Sequence, residues 1–229
     1  MDAFNVLNHL QFARPNNDPT GTNDCRVVSL TPVICCSVRH SCLPPGSPMI
    51  TQSQYQAARE KACDLLAQTG IVLTPEERER FEVADFGLAD LENTGLQLIT
   101  YVNTERVCAK ELILLPHQTC PEHRHPSVGG VLGKEETFRC RWGQVYLYVA
   151  GDPTPNPACH PPKGSDPYYT AWHEICLKPG DQYTIFPNTL HWFQAGPQGA
   201  VVSEFSTRST DEADIFTDHR IERLPRVEG

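Results

Sequence analysis

The stretch Lys134-Glu135-Glu136-Thr137-Phe138-Arg139-Cys140-Arg141-Trp142-Gly143-Gln144-Val145-Tyr146-Leu147-Tyr148-Val149 alternates apolar and polar side chains on both sides of a Gly-Gln pair. A period of two belongs to strands with one buried face. The pattern predicts a hairpin whose loop is Gly143-Gln144, with glycine at the first central position of a type II′ turn. In that register Trp142 pairs with Val145, Cys140 with Leu147 and Phe138 with Val149. One face then carries Phe138, Cys140, Leu147 and Val149, and the other Thr137, Arg139, Tyr146 and Tyr148. The apolar face is the inner one, and Lys134 and Glu136 share its parity. A carboxylate and an ammonium aimed inward are costly unless they pair or coordinate. The alternative is a strand that frays before Glu136 and leaves both solvated.

Working outward, the chain after Gly87 reads as short strands between Gly, Pro and Asn turns: 97–102, 109–115, 137–142, 145–149, 173–177, 182–186, 191–195 and 200–205. About eight such strands without helical pattern between them predict an all-β antiparallel sandwich or barrel. Ahead of it, Thr51 with Gln54 forms a capping box, Ala58, Ala62, Leu65 and Leu66 make one stripe, and Gly70 stops a helix. Thr74-Pro75-Glu76-Glu77 starts a second, short helix. These helices are expected outside the barrel, as an outer layer or a dimerisation arm. Residues 1–48 hold six prolines, four cysteines and no sustained period, so they are expected to be a disordered or non-native extension, with residues 49–229 forming helical arm plus barrel.

The 229 residues are 39% hydrophobic and 21% charged, enough for one sizeable core. No stretch reaches the roughly 18 apolar residues of a membrane span, and no conventional signal peptide is visible. A net charge of −9 opposes a grip on phosphate backbones, so neither nucleic acid nor membrane is an expected partner. The ten cysteines form no Cys-x-x-Cys pair, and Cys35 and Cys36 are adjacent. They read as reduced core thiols of a cytoplasmic protein rather than a disulfide framework.

His123 and His125 stand two apart, so in a strand both imidazoles face one way and make half a metal site. A third element is the run from His191 to Ala195, followed by Gly196-Pro197-Gln198-Gly199 and a strand from Ala200 to Phe205. If that four-residue loop closes a hairpin, Phe193 pairs with Val202 and His191 falls opposite Glu204. Parity then puts Phe193 inside and makes Trp192 an interface residue. Arg220 reads as a solvated charge.

His-x-His, a glutamate eleven residues later, a glycine seven beyond it, and Gly180, Pro187 and His191 downstream resemble the two motifs of the cupin superfamily. More closely, PEHRHP, GKEETFRCRWG, VYLYV, HWFQAGPQGAVVSEFS and STDEADIFTD resemble the cupin-type D-lyxose ketol-isomerases, over roughly residues 50 to 225. The longer His-x-His to Glu gap points to this sugar-isomerase branch rather than to cupins at large. The resemblance implies a jelly-roll barrel with a divalent metal, most readily Mn(II) and otherwise Co, Ni, Fe or Zn, held by His123, His125, Glu136 and His191. It also implies a homodimer that interconverts D-lyxose with D-xylulose, and D-mannose with D-fructose, by enediol proton transfer. Glu204, opposite a ligand, is the expected base; Lys134 is placed to stabilise the oxyanion. Asp214 is a further candidate for sugar handling, unless it belongs to a solvated turn capped by Thr210. An Fe(II) cupin dioxygenase and a non-catalytic sugar-binding cupin remain the other readings. The acid and the inward lysine favour the isomerase.

Overall fold

A computed structural model describes residues 50–224 and Val227; the extension expected over residues 1–48 lies outside the described residues. The helix α1 spans Gln52–Ala67 and α2 spans Pro75–Glu79, and each begins with the reciprocal bonds of a capping box, Thr51 with Gln54 and Thr74 with Glu77. Nine strands follow: β1 Glu82–Ala84, β2 Leu96–Asn103, β3 Cys108–Leu114, β4 Thr119–Arg124, β5 Glu136–Val149, β6 His173–Leu177, β7 Gln182–Ile185, β8 His191–Ser206 and β9 Ile215–Phe216. All pairings between these strands are antiparallel. The order β1-β2-β3-β8-β4-β9 runs along one path, and β5 joins it at β8 while also pairing with β6 and β7. The result is the curled antiparallel half-barrel of a cupin, with helices on the outside, as expected.

Its interior is apolar: Leu98, Leu112, Phe138, Cys140, Leu147, Phe193 and Val202 belong to one buried cluster. A second cluster lies on the outer face, where Ala62 and Leu66 of α1 pack on Ile99, Ile113 and Val201. The helix therefore docks through the stripe that its spacing predicts.

Both expected hairpins are absent. Residues 136–149 form one 14-residue strand and residues 191–206 one 16-residue strand, and the two pair with each other along their length, from Glu136↔Ser206 to Val149↔His191. The register shifts between Cys140 and Trp142 and again between Gly143 and Val145. Gly143 and Gly199 adopt φ of +71° and +88°, and a Cβ on Gly143 would sit 2.1 Å from the Gly199 carbonyl oxygen. The glycines that look like turn residues instead let two long strands bend across each other at a bulge. The inward faces survive this error. Phe138 and Cys140 point inward before the bulge, and Leu147 and Val149 after it, because the shift flips parity as a two-residue loop does. His191 is accordingly opposite His123 and Val149 rather than Glu204, and Glu204 is opposite Lys110 and Phe138.

Trp192 is also not an exposed interface residue. It is fully buried, stacked on Tyr148 with ring centroids 4.0 Å apart, and its indole donates to the Ala171 carbonyl at 2.7 Å. The segment between β5 and β6 folds back over that outer face. Its end is fastened by the buried Glu122 carboxylate, which accepts from the Thr170 amide at 2.6 Å and the Ala171 amide at 2.7 Å. Arg220 is half-exposed but not merely solvated: it forks onto Asp218 and lies 4.6 Å above the Tyr168 ring.

Candidate metal centre

The four expected ligands meet inside the barrel. His123 comes from β4, His125 from just beyond its end, Glu136 from the first position of β5 and His191 from the first of β8. All four are buried. One ring nitrogen from each of the three histidines lies within 4.8 Å of the others. Glu136 Oε1 is 3.1 Å from His125 Nε2 and 3.1 Å from His191 Nε2.

Each imidazole is oriented through its other nitrogen. His123 Nδ1 is 2.7 Å from the Pro121 carbonyl oxygen, His191 Nδ1 is 2.9 Å from the Thr189 carbonyl oxygen, and His125 Nδ1 is 2.6 Å from Asp214 Oδ1. Acceptors at all three Nδ1 atoms assign the proton there and turn the Nε2 lone pairs to the common centre. His191 Nε2 is buried and, although 3.1 Å from Glu136 Oε1, makes no well-directed hydrogen bond. Three converging imidazole lone pairs with a carboxylate among them are a donor set for a divalent transition metal, and the orphaned nitrogen is what such an ion would satisfy.

Burial, with His191 and His125 alongside, holds His123 well below the usual histidine range, which keeps it a neutral donor. For His125, burial and the Lys134 ammonium act downward, but the Glu136 and Asp214 carboxylates outweigh them and lift it to about 9 in the metal-free protein. Burial opposes charge on Glu136, yet Lys134 and His125 hold it well below the usual carboxylate range.

Lys134 is buried, 2.8 Å from Glu136 Oε2 and 3.2 Å from Glu204 Oε1. Burial works against its charge, but Glu136, Glu204, Asp211 and Asp214 keep it well above its ordinary value. Lys134 and Glu136 thus both point inward; β5 begins only at Glu136, but neither residue is solvated as the frayed-strand alternative requires. Glu204 lines the same cavity and accepts from Ser206 Oγ at 3.0 Å. It stands beyond Lys134, not across a strand pair from His191 as expected. Asp214, at the end of a 3-10 turn, Asp211–Ala213, turns its carboxylate onto His125, and Thr210 makes no side-chain cap there.

Sequence reasoning missed Lys110, Asp211 and Arg223, which line the cavity with these residues. Lys110 shares the parity of Leu112 and Leu114 on β3, so the rule that finds Lys134 would have found it. Asp211 sits in an acidic turn with no period and Arg223 in the C-terminal segment; neither carries a local signal. Glu136, Glu204, Asp211 and Asp214 exceed Lys110, Lys134 and Arg223 by one formal charge, which a protonated His125 balances in the metal-free protein. Phe138, Phe193 and Phe216 complete its wall, with Phe216 stacked on His123 at 5.3 Å between ring centroids.

Residues 159–229 match the family model described as D-lyxose isomerase. The D-lyxose/D-mannose isomerase of Thermosediminibacter oceani is 66% identical over 180 residues, which are 79% of this chain and 99% of that protein. The D-lyxose ketol-isomerases of a Thermofilum species and of Cohnella laeviribosi are each 59% identical; they cover 78% and 77% of this chain, and 99% and 97% of their own lengths. Among solved structures, the L-ribose isomerase of Cellulomonas parahominis superposes with a TM-score of 0.68 at 17% identity, covering 79% of this chain and 99% of that one. At that identity the likeness is one of fold.

Proposed function

Because the chain belongs to the D-lyxose isomerase family, we propose that its three-histidine centre is the metal site of an aldose-ketose isomerase, with Glu204 and Lys134 as the groups that move protons and hold charge. The enzyme is a D-lyxose ketol-isomerase, and the relatives, named as isomerases of lyxose or of lyxose and mannose, support neither the dioxygenase nor the non-catalytic alternative. The observation that carries the mechanism is the set of Nε2 atoms of His123, His125 and His191 converging beside Glu136, each histidine braced through Nδ1. His123, His125, Glu136 and His191 would hold a divalent ion, which we take to be Mn(II), and it would supply positive charge for a sugar carbonyl and for the negative charge that develops there.

The chain's own residues do the rest. Isomerisation removes the C2 proton of the aldose and returns it to C1, while the O2 hydroxyl proton passes to O1. Glu204 faces the cavity with a carboxylate whose two protein hydrogen bonds both fall on Oε1, so Oε2 is the atom that takes and returns the proton. Lys134, charged and buried, faces the oxygen that gains negative charge as the proton leaves. Asp214 acts through His125, fixing its tautomer, rather than on the sugar. Phe138, Phe193 and Phe216 keep bulk water from the enediolate.

D-Lyxose and D-mannose share configuration at C2 and C3, so both fit this chemistry. We further propose a cytoplasmic homodimer whose working part begins near Met49; among the described residues no helix is long and apolar enough to cross a membrane. The test is conversion of D-lyxose to D-xylulose by purified protein, before and after chelation. Activity should vanish with chelator and return with Mn(II) or Co(II). Full activity in protein shown to be metal-free would refute the mechanism.

A further inference from the structure

Lys110 and Glu204 are directly opposite each other in the β3–β8 register, both on the inner face, yet they do not bond. The Lys110 ammonium instead donates to Asp211 Oδ2 at 2.5 Å and to Ser209 Oγ at 2.8 Å. Lys110 is 4% exposed, so its charge requires a carboxylate wherever it rests. Two are within its range, Asp211 and Glu204. Asp211 also receives Arg223 Nη2 at 3.3 Å, a hydrogen bond from Ser209, and the Lys134 ammonium at 3.5 Å from Oδ1. We infer that Asp211 is a positioning residue that draws Lys110 away from Glu204 and so leaves the Glu204 carboxylate available for proton transfer.

The turn that delivers it explains why it can do this. Asp211 opens the 3-10 turn that ends at Asp214, where the Asp214 amide donates to the Asp211 carbonyl at 3.2 Å. One short segment thus presents one carboxylate to the cation beside the base and another to a histidine of the centre. Without the Asp211 charge, Lys110 would keep only a hydroxyl partner, and its cross-strand neighbour Glu204 would be the nearest anion. An ammonium bonded to Glu204 lowers its basicity. Lys134 already uses one Glu204 oxygen, so a second ammonium would engage the carboxylate fully.

The inference rests on the reading of Glu204 as the base, and the experiment separates the two. Asp211→Asn keeps the shape and removes the charge. It should lower kcat for D-lyxose at least about tenfold with KM changed less than about threefold and metal content close to wild type, at a lowered melting temperature because Lys110, Lys134 and Arg223 lose a shared carboxylate. Asp211→Glu should recover most of the loss. The decisive variant is Asp211→Asn combined with Lys110→Met: removing the stray ammonium should restore kcat at least about fivefold over Asp211→Asn alone, a coupling that a merely structural role would not produce. Asp211→Ser, with and without Lys110→Met, offers the same comparison should Asp211→Asn fail to fold. A double variant no faster than the single one, or Asp211→Asn at wild-type kcat, overturns the inference. Glu204→Gln at wild-type rate overturns instead the assignment of the base.

Discussion

Glu204→Gln removes one charge and almost no volume, and the structure sets what else it disturbs. Lys134 Nζ at 3.2 Å and Ser206 Oγ at 3.0 Å both donate to Glu204 Oε1, and a glutamine carbonyl oxygen can accept both. The change nonetheless breaks the buried Lys134–Glu204 ion pair and makes the Ser206 bond a neutral one, a cost of about 3 kcal/mol with Lys134 still paired to Glu136. For a domain of this size that is a fall of ~6–12 °C in melting temperature. Metal content should hold, because Glu204 touches neither a histidine nor the Asp214 that braces one. Turnover behaves differently: a positioned general base contributes roughly 10²–10⁴ in rate, so the barrier should rise by ~3–5 kcal/mol. The sharpest assay is exchange of the C2 hydrogen of D-lyxose with deuterated solvent, followed by NMR beside product formation. Exchange and turnover should fall together by at least about a hundredfold. Exchange at the wild-type rate in a folded, metal-loaded Glu204→Gln protein would refute the assignment. Asp214 would not be the natural substitute, because its carboxylate is already engaged by His125.

His191→Ala should weaken metal binding by at least about a hundredfold, measured by competition with a chromophoric chelator, since it deletes a nitrogen donor and not only its support. Metal-free protein should be most stable near pH 6.5. The depressed His123 costs stability as the unfolded chain takes up protons below that value, while the raised His125 gives stability that is complete below 6.5 and is lost as pH rises through about 9. A melting curve in chelator that rises steadily from pH 6 to 9 would contradict these two environments. Gly143→Ala should cost at least about 2 kcal/mol, read as a drop of ~4–8 °C by calorimetry, because the new Cβ meets the Gly199 carbonyl at a positive φ. A chain begun at Met49 should keep the melting temperature and activity of the full chain; loss of either would show that the preceding residues take part in the fold.

How far the sequence could be read depended on which physical signal each residue carried. Faces were legible because parity is local: Phe138, Leu147 and Phe193 must be buried whatever joins their strands. Connections were not, since Gly143 and the Gly196 to Gly199 run satisfy the requirements of a tight turn and of a bulge equally well. Only pairing with a distant partner decides between them, and that partner is the other long strand. Of the candidate ligands, His123, His125 and Glu136 stood out by spacing and parity, whereas His191 joined them through the resemblance to the cupin motifs. Asp211 was not, because a carboxylate in an irregular turn acquires its partners, Lys110, Lys134 and Arg223, only when β3, β5 and the C-terminal segment converge. Trp192 was misplaced for a similar reason: what covers it is a segment without period, folded back and fastened through Glu122.

The long β5–β8 ladder has one more consequence. Glu136 and His191 stand at its opposite ends, and drawn straight a ladder of that length would separate them by roughly 45 Å. They meet at 3.1 Å because the ribbon curls until its ends touch. An ion gripped by both is a clasp on that closure: it has no site in any state where the ribbon has sprung open. Bound ion therefore favours the closed barrel over any opened state. Heat resistance would track free metal concentration, gaining about 2.7 kcal/mol at a hundredfold excess over Kd.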